Sequence, residues 1–286
     1  MKIALLASGN LGFTIFEKLL SSEFTLRAVL TDSNSPDIMQ LAEKHNIPVF
    51  KGNPRSGRTK GFIANKDIDV LISVNYLFII EKDLINWPGK LAFNVHGSLL
   101  PKYRGRTPHV WAIINNEAYT GITAHLITEY YDSGDILLQK KIVIQQEDTG
   151  ESLLEKFNKE YPEIVFTVLK EAKANKLKSV KQDETKASFF GKRIPDDGQI
   201  NWGWQKERIY NWVRAQAYPY PGAYCYYESE KIIVDQVSYD DYGFSWDMPN
   251  GLILTDEPLR VKTPNGVIAL DKIRNKQVFK QGMILK

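Results

Sequence analysis

Apolar positions along residues 1–200 come in short runs broken by glycine, proline and polar clusters, and the spacing within each run predicts its element. Residues 2–7, KIALLA, read as a compact strand. The turn Ser8-Gly9-Asn10-Leu11-Gly12 follows, and residues 13–21 then carry Ile15, Phe16, Leu19 and Leu20 at helical spacing. Residues 25–31 are the next strand, so the chain opens as a βαβ unit. Pro36 starts a helix to residue 45 with Ile38, Leu41 and Ala42 on one face. Residues 47–50 and 69–74 are strands, the second apolar without alternation, as a buried parallel strand is. Residues 91–95 repeat that pattern.

Residues 109–114 predict a short helix, and residues 119–128 and 136–144 two strands, the first placing Thr123 and His125 on one face. Asp148-Thr149 can cap a long helix with a kink at Pro162. Residues 173–186, lysine-rich and without apolar period, read as a linker. Beyond Trp202 the pattern becomes a helix over 205–214 followed by five short alternating segments separated by turns such as Pro249-Asn250-Gly251. The expected fold class is α/β: a Rossmann-like doubly wound sheet over residues 1–200 and a small β-rich domain over 201–286.

Composition narrows the class of protein. A hydrophobic content of 43% and a charged content of 25% over 286 residues suit a globular chain with a sizeable core. The net charge of +3 makes no case for nucleic acid as a partner. Cys225 is the one cysteine, so neither a disulfide nor a metal cluster is expected. Five apolar residues after Lys2 are too few for a secretory signal, and residues 70–80 too few for a membrane span. A cytoplasmic protein without membrane contact is the expectation.

The chemistry concentrates in residues 93–108, FNVHGSLLPKYRGRTP, a strand that opens into a broken loop. Asn94 and His96 lie two apart and so project to one side. An amide and an imidazole there can polarise a carbonyl and move a proton. A second polar knot, Tyr131-Asp132-Ser133-Gly134-Asp135, can supply the carboxylate that orients such a histidine. The Gly9/Gly12 turn is an incomplete dinucleotide fingerprint. Gly12 reads as a packing position, while Gly9 and Asn10 stand at the carboxyl end of a parallel strand, where ligands bind.

Asn94-x-His96, Ser98-Leu99-Leu100-Pro101, Tyr103-Arg104-Gly105, Gly121-x-Thr123-x-His125 and Asp132-x-Gly134 resemble the motifs of the folate-dependent formyltransferases, in order and spacing. The resemblance implies 10-formyltetrahydrofolate as co-substrate, no metal, and Asn94, His96 and Asp132 as catalytic trio. Formyl transfer needs a donor at the developing oxyanion, a group that takes the amine proton, and a partner for the imidazole. Asn94 suits the first, and Asp132 the last. His96 suits either the base or the oxyanion role. The resemblance also implies folate contacts at Tyr76, Leu77, Phe78, Thr123 and Asp135, and places His125 behind the site.

The family includes enzymes acting on methionyl-tRNA, on glycinamide ribonucleotide and on nucleotide-linked amino sugars. Residues 31–36 lack the basic loop expected of a tRNA enzyme, and the C-terminal part is rich in Tyr and Asp. Asp197-Gly198-x-Ile200-x-Trp202 and Pro219-Tyr220-Pro221-Gly222-Ala223 resemble the sugar enzymes. The expected acceptor is therefore the amine of a dTDP- or UDP-linked 3- or 4-amino dideoxysugar, on a route to polysaccharide. Gly9, Asn10, Ser98, Tyr103, Arg104, Arg193, Arg214 and Tyr220 are the candidate acceptor contacts, and a homodimer is compatible with the reading. The alternatives are a methionyl-tRNA formyltransferase, a catalytically idle nucleotide-sugar or folate binder, and a nicotinamide oxidoreductase, against which the missing third glycine counts.

Overall fold

The computed structural model describes residues 1–275 and 277–286. They form two compact units. The first comprises Met1–Gly105, Gly121–Ile142 and Lys156–Phe189; the second comprises Arg106–Thr120, Val143–Glu155 and Phe190–Lys286. The sequence suggests one cut at residue 200, but the chain passes between the units repeatedly. One reason is local: helix Pro108–Ile114 packs on helix Lys206–Ala215, so it belongs with the C-terminal segment.

The first unit is built on seven strands: β1 (Lys2–Ala7), β2 (Thr25–Thr31), β3 (Val49–Lys51), β4 (Val70–Val74), β5 (Leu91–His96), β6 (Tyr119–Leu126) and β7 (Ile136–Val143). Their order is β3-β2-β1-β4-β5-β6-β7. The first five pair in parallel, and β5 with β6 antiparallel. β1 and β4 are buried along almost their whole length, which is why both read as unalternating apolar runs. The order reverses at β1, and in such sheets the crevice at the strands' carboxyl ends takes ligands.

Helix α1 (Gly9–Leu20) starts four residues earlier than its apolar spacing predicts, because Gly9 adopts a left-handed φ of +61° and turns the chain at once. A Cβ on Gly12 would lie 2.8 Å from Ala7 Cβ, so glycine there lets helix and strand touch. Helix α2 spans Pro36–Lys44. The long helix Gly150–Lys173 runs unbroken through Pro162.

Residues 174–189 are not a free linker. Val180 and Ile136 exchange two backbone hydrogen bonds of 2.8 Å, and Ser188 O accepts from Arg104 N at 2.8 Å. Lysines gave the segment its polar composition, yet its backbone is tied to both loops that carry the site.

The second unit holds a five-stranded antiparallel sheet of Ala223–Tyr227, Glu230–Asp240, Gly266–Ile273, Leu259–Thr263 and Ile253–Asp256, in that spatial order. Among the described residues, no helix is long and apolar enough to cross a membrane.

Candidate active site

β5 and β6 set the register of the site. Asn94 stands opposite His125, and His96 opposite Thr123. Cross-strand partners share a face, so Asn94 and His125 meet. The Asn94 Nδ2 amide donates to His125 Nε2 at 3.1 Å, while His125 Nδ1 donates to the Leu126 carbonyl at 2.9 Å. A carbonyl only accepts, so Nδ1 carries the hydrogen and Nε2 the lone pair. Burial pushes His125 down to about 4, against the opposing pull of Asp132 and helped by the charge of His96, so the ring stays neutral near neutral pH.

His96 is fixed by the same logic. Its Nε2 donates to the Tyr103 carbonyl at 2.8 Å, which leaves Nδ1 as the atom open to proton transfer. Tyr103 reaches back this way because its φ is +60°. Asp132 Oδ1 lies 3.6 Å from His96 Nδ1 and 3.7 Å from His125 Nε2. Asp132 Oδ2 accepts from the Gly105 amide at 2.9 Å. Asp132 itself has a φ of +50°, in a turn that Gly134 makes possible: a Cβ on Gly134 would lie 1.8 Å from the Leu126 carbonyl oxygen. The trio read from the sequence is thus brought together, with His125 as a fourth member in direct hydrogen bond to Asn94.

Three expected ligand contacts turn inward instead. Thr123 and Ser98 have 0% exposure, with their hydroxyls engaged inside the protein. Thr123 Oγ1 donates to Ser98 O at 2.6 Å and accepts from Leu100 N at 3.2 Å, which shapes the loop after β5. Ser98 Oγ donates to Lys102 O at 2.6 Å. Arg104, 2% exposed, forms a two-pronged pair with Glu184 at 2.8 and 2.7 Å and donates to Gln182 Oε1 at 2.7 Å. Its two terminal nitrogens are thus taken by protein acceptors, while its buried Nε has no partner. The spacing of motifs cannot reveal such burial, because Glu184 and Gln182 lie some eighty residues away and in a stretch with no apolar signal.

At the carboxyl ends of β1, β2 and β4 the Gly9 amide donates to Ser35 Oγ at 3.0 Å, and Ser35 Oγ donates to Asp32 at 2.8 Å. Asn10 is exposed. Tyr76 and Phe78 meet edge to face at 5.5 Å, and Leu77 is 44% exposed. The Tyr76 hydroxyl is buried without a hydrogen-bond partner, and burial pushes its pKa up, with the Asp32 charge acting the same way. Beside this segment a cleft of about 460 Å³ is lined by Ile79, Ile80, Lys60, Lys82 and Glu129. A larger cleft of about 650 Å³, at Glu17–Ser22 and Pro162–Phe166, contains none of the candidate residues. Asp135 is half-buried and accepts from Ser179 Oγ at 3.4 Å.

The remaining three candidates lie in the second unit. The Arg193 guanidinium sits 4.3 Å from the Trp212 ring and 5.1 Å from the Trp111 ring, and donates to Asp197 O and Gln216 Oε1, both at 2.9 Å. Arg214 donates to Asn211 Oδ1 at 2.8 Å and to the carbonyls of Asp148 and Gln145 at 2.5 and 3.2 Å. The Tyr220 hydroxyl meets His109 Nε2 at 2.9 Å. Each of these side chains is held by protein partners.

A family profile described as formyl transferase matches residues 1–169, and one described as formyl transferase, C-terminal domain, matches residues 192–282. The bifunctional polymyxin resistance protein ArnA of Wigglesworthia glossinidia brevipalpis is 33% identical over 270 residues, which take in 91% of this chain and 40% of that protein. The chain therefore spans about two fifths of the length of that curated relative. Among solved structures, an N-formyltransferase from Helicobacter canadensis, in complex with folinic acid and dTDP-3-aminofucose, superposes with a TM-score of 0.74 at 21% identity, over 94% of this chain and 98% of that one. A 4-N formyltransferase from Francisella tularensis superposes with a TM-score of 0.68 at 21% identity, over 82% of this chain and 96% of that one. This chain belongs to the formyl transferase family.

Proposed function

We propose that the chain transfers a formyl group from 10-formyltetrahydrofolate to the amine of a nucleotide-linked 3- or 4-amino dideoxysugar, with dTDP or UDP as the nucleotide. The single observation that carries the catalytic part is the contact of Asp132 Oδ1 with His96 Nδ1 at 3.6 Å, next to an Asn94 amide already oriented by His125. The acceptor class is supported by the two superposed formyltransferases, one in complex with dTDP-3-aminofucose and one described as acting at a 4-amine.

In this reading each residue does one thing. Asn94 Nδ2 has two hydrogens; one is given to His125, and the other donates to the formyl oxygen as it gains negative charge. His96 takes the amine proton at Nδ1, the nitrogen that Tyr103 leaves open, as the amine nitrogen bonds to the formyl carbon, and returns it to the folate N10 as the N10–formyl bond breaks. Asp132 faces that nitrogen and stabilises the imidazolium. A folate co-substrate is assigned to the 76–80 segment, where Leu77 is exposed and a cleft lined by Ile79 and Ile80 opens. Tyr76, Leu77, Phe78 and Asp135 are the residues we assign to it. Gly9, Asn10 and Tyr103 remain assigned to the acceptor. Arg193, Arg214 and Tyr220 act as supports of the second unit. We place the reaction in the cytoplasm, on a route to surface polysaccharide.

The test is a mass-spectrometric assay of 10-formyltetrahydrofolate with dTDP-, UDP- and GDP-linked 3-amino and 4-amino deoxysugars, and with charged initiator methionyl-tRNA alongside. One formyl mass gained by a sugar is the expected result. Formylation of the tRNA alone would replace this acceptor, and no transfer in any vessel would favour a binding protein.

A further inference from the structure

One of the buried polar groups that the catalytic reading leaves without a role lies against the turn that carries Asp132. Gln182 is 7% exposed, and it lies in the lysine-rich stretch that carries no apolar pattern. Its Nε2 donates to the Asp132 carbonyl at 2.8 Å and to the Gly134 carbonyl at 2.6 Å. Its Oε1 accepts from Arg104 Nη2 at 2.7 Å. The amide cannot be turned over, because a flip would set oxygen against two carbonyls and nitrogen against a guanidinium.

Resting on the assignment of Asp132 as a catalytic group, we propose that Gln182 is a positioning residue: it clamps the left-handed turn of residues 132–134 so that the Asp132 carboxylate faces His96, with Arg104 and Glu184 holding the clamp. Asp132 occupies φ +50°, a conformation that a non-glycine residue keeps only when its surroundings enforce it. The two carbonyls that bracket the turn are pinned by one amide nitrogen. Arg104 acts twice. Its guanidinium fixes Gln182, and the amide of the next residue, Gly105, donates to Asp132 Oδ2. Glu184 holds the guanidinium through both of its oxygens. Backbone and carboxylate of Asp132 are thereby fixed from the same Arg104–Gly105 step.

The test uses the full chain and two variants, Gln182→Met, which removes every hydrogen bond, and Gln182→Glu, which keeps an acceptor for Arg104 but no donor for the carbonyls. In ¹⁵N-labelled protein, the Gly105 amide resonance reports its bond to Asp132 without any substrate. We expect it to move in both variants toward its position in Asp132→Asn. With 10-formyltetrahydrofolate and dTDP-3-aminofucose, kcat should fall by about 10- to 100-fold while both KM values stay within about threefold, the pattern of a misplaced group beyond the substrate contacts. In the Asp132→Asn background the Gln182 substitution should lower kcat by less than about threefold more. An unmoved Gly105 resonance, losses that multiply, or a KM rise in place of a kcat fall would overturn the clamp. Wild-type turnover by Asp132→Asn alone would instead remove Asp132 from the mechanism, and the Gly105 resonance would still decide whether Gln182 sets the turn.

Discussion

The Asn94 amide is oriented by a neutral histidine: His125 Nε2 accepts from Asn94 Nδ2 at 3.1 Å, and the Nδ1 proton of the same ring is anchored on Leu126 O at 2.9 Å. Without that acceptor the amide is free to turn its oxygen toward the reacting carbonyl, where it would repel the growing charge. His125→Phe keeps the volume and removes the acceptor. Steady-state kinetics should show kcat reduced by roughly 10- to 100-fold, the equivalent of about 1.5–3 kcal/mol for a misdirected hydrogen bond, with the KM for folate little changed.

The trio itself should matter more. His96→Asn and Asp132→Asn should each lower turnover by ~100-fold or more with the fold intact by circular dichroism. Near-normal rates in both would exclude them from proton transfer.

Acid should weaken the fold from an unusually high pH. Burial pushes both His125 and His109 down to about 4. In the unfolded chain each takes up a proton near ~6.5, so the unfolded state binds more protons between those values. Their contribution is fully present above pH ~6.5 and is lost as the pH falls toward 4, by a few kcal/mol for each histidine at the order-of-magnitude level. Urea midpoints at pH 7, 6 and 5 should fall steadily. His109→Gln should flatten the slope, though it weakens the Tyr220 contact.

Arg104→Ala separates two roles for a cation in this loop. A phosphate contact would raise the acceptor's KM. The pairing of the buried guanidinium with the exposed Glu184 carboxylate and its bond to Gln182 predict a different outcome: lower thermal stability and lower kcat, with the acceptor's KM within about threefold. Differential scanning fluorimetry beside the kinetic assay distinguishes them.

Gly134→Ala should be poorly tolerated. The new Cβ would stand 1.8 Å from the Leu126 carbonyl oxygen, at the end of β6, which already accepts from His125 Nδ1. Loss of soluble expression, or a midpoint lower by several kcal/mol, is expected. Gly191→Ala, where a Cβ meets nothing within 4 Å, is the control.

The elements nearest the site were legible in the chain because each leaves a local signature. A short unalternating apolar run bounded by turn residues fits a strand buried on both faces, so β1 and β4 stand where the pattern puts them, and the mostly apolar run before the central loop is β5. The i, i+2 spacing of Asn94 and His96, and of Thr123 and His125, determined which side chains share a face before any pairing was known. The motif order did the same for the family. What the chain could not disclose depends on contacts between distant residues. The β5–β6 register makes His125 the partner of Asn94, and the return of residues 180–188 over the two site loops makes a supposed linker into their support. Arg104 looks like a phosphate ligand in sequence because its charge is visible there and its burial is not. Only folding brings Glu184 and Gln182 to it, and a guanidinium surrounded by protein acceptors holds a structure together where a solvated one would bind an anion.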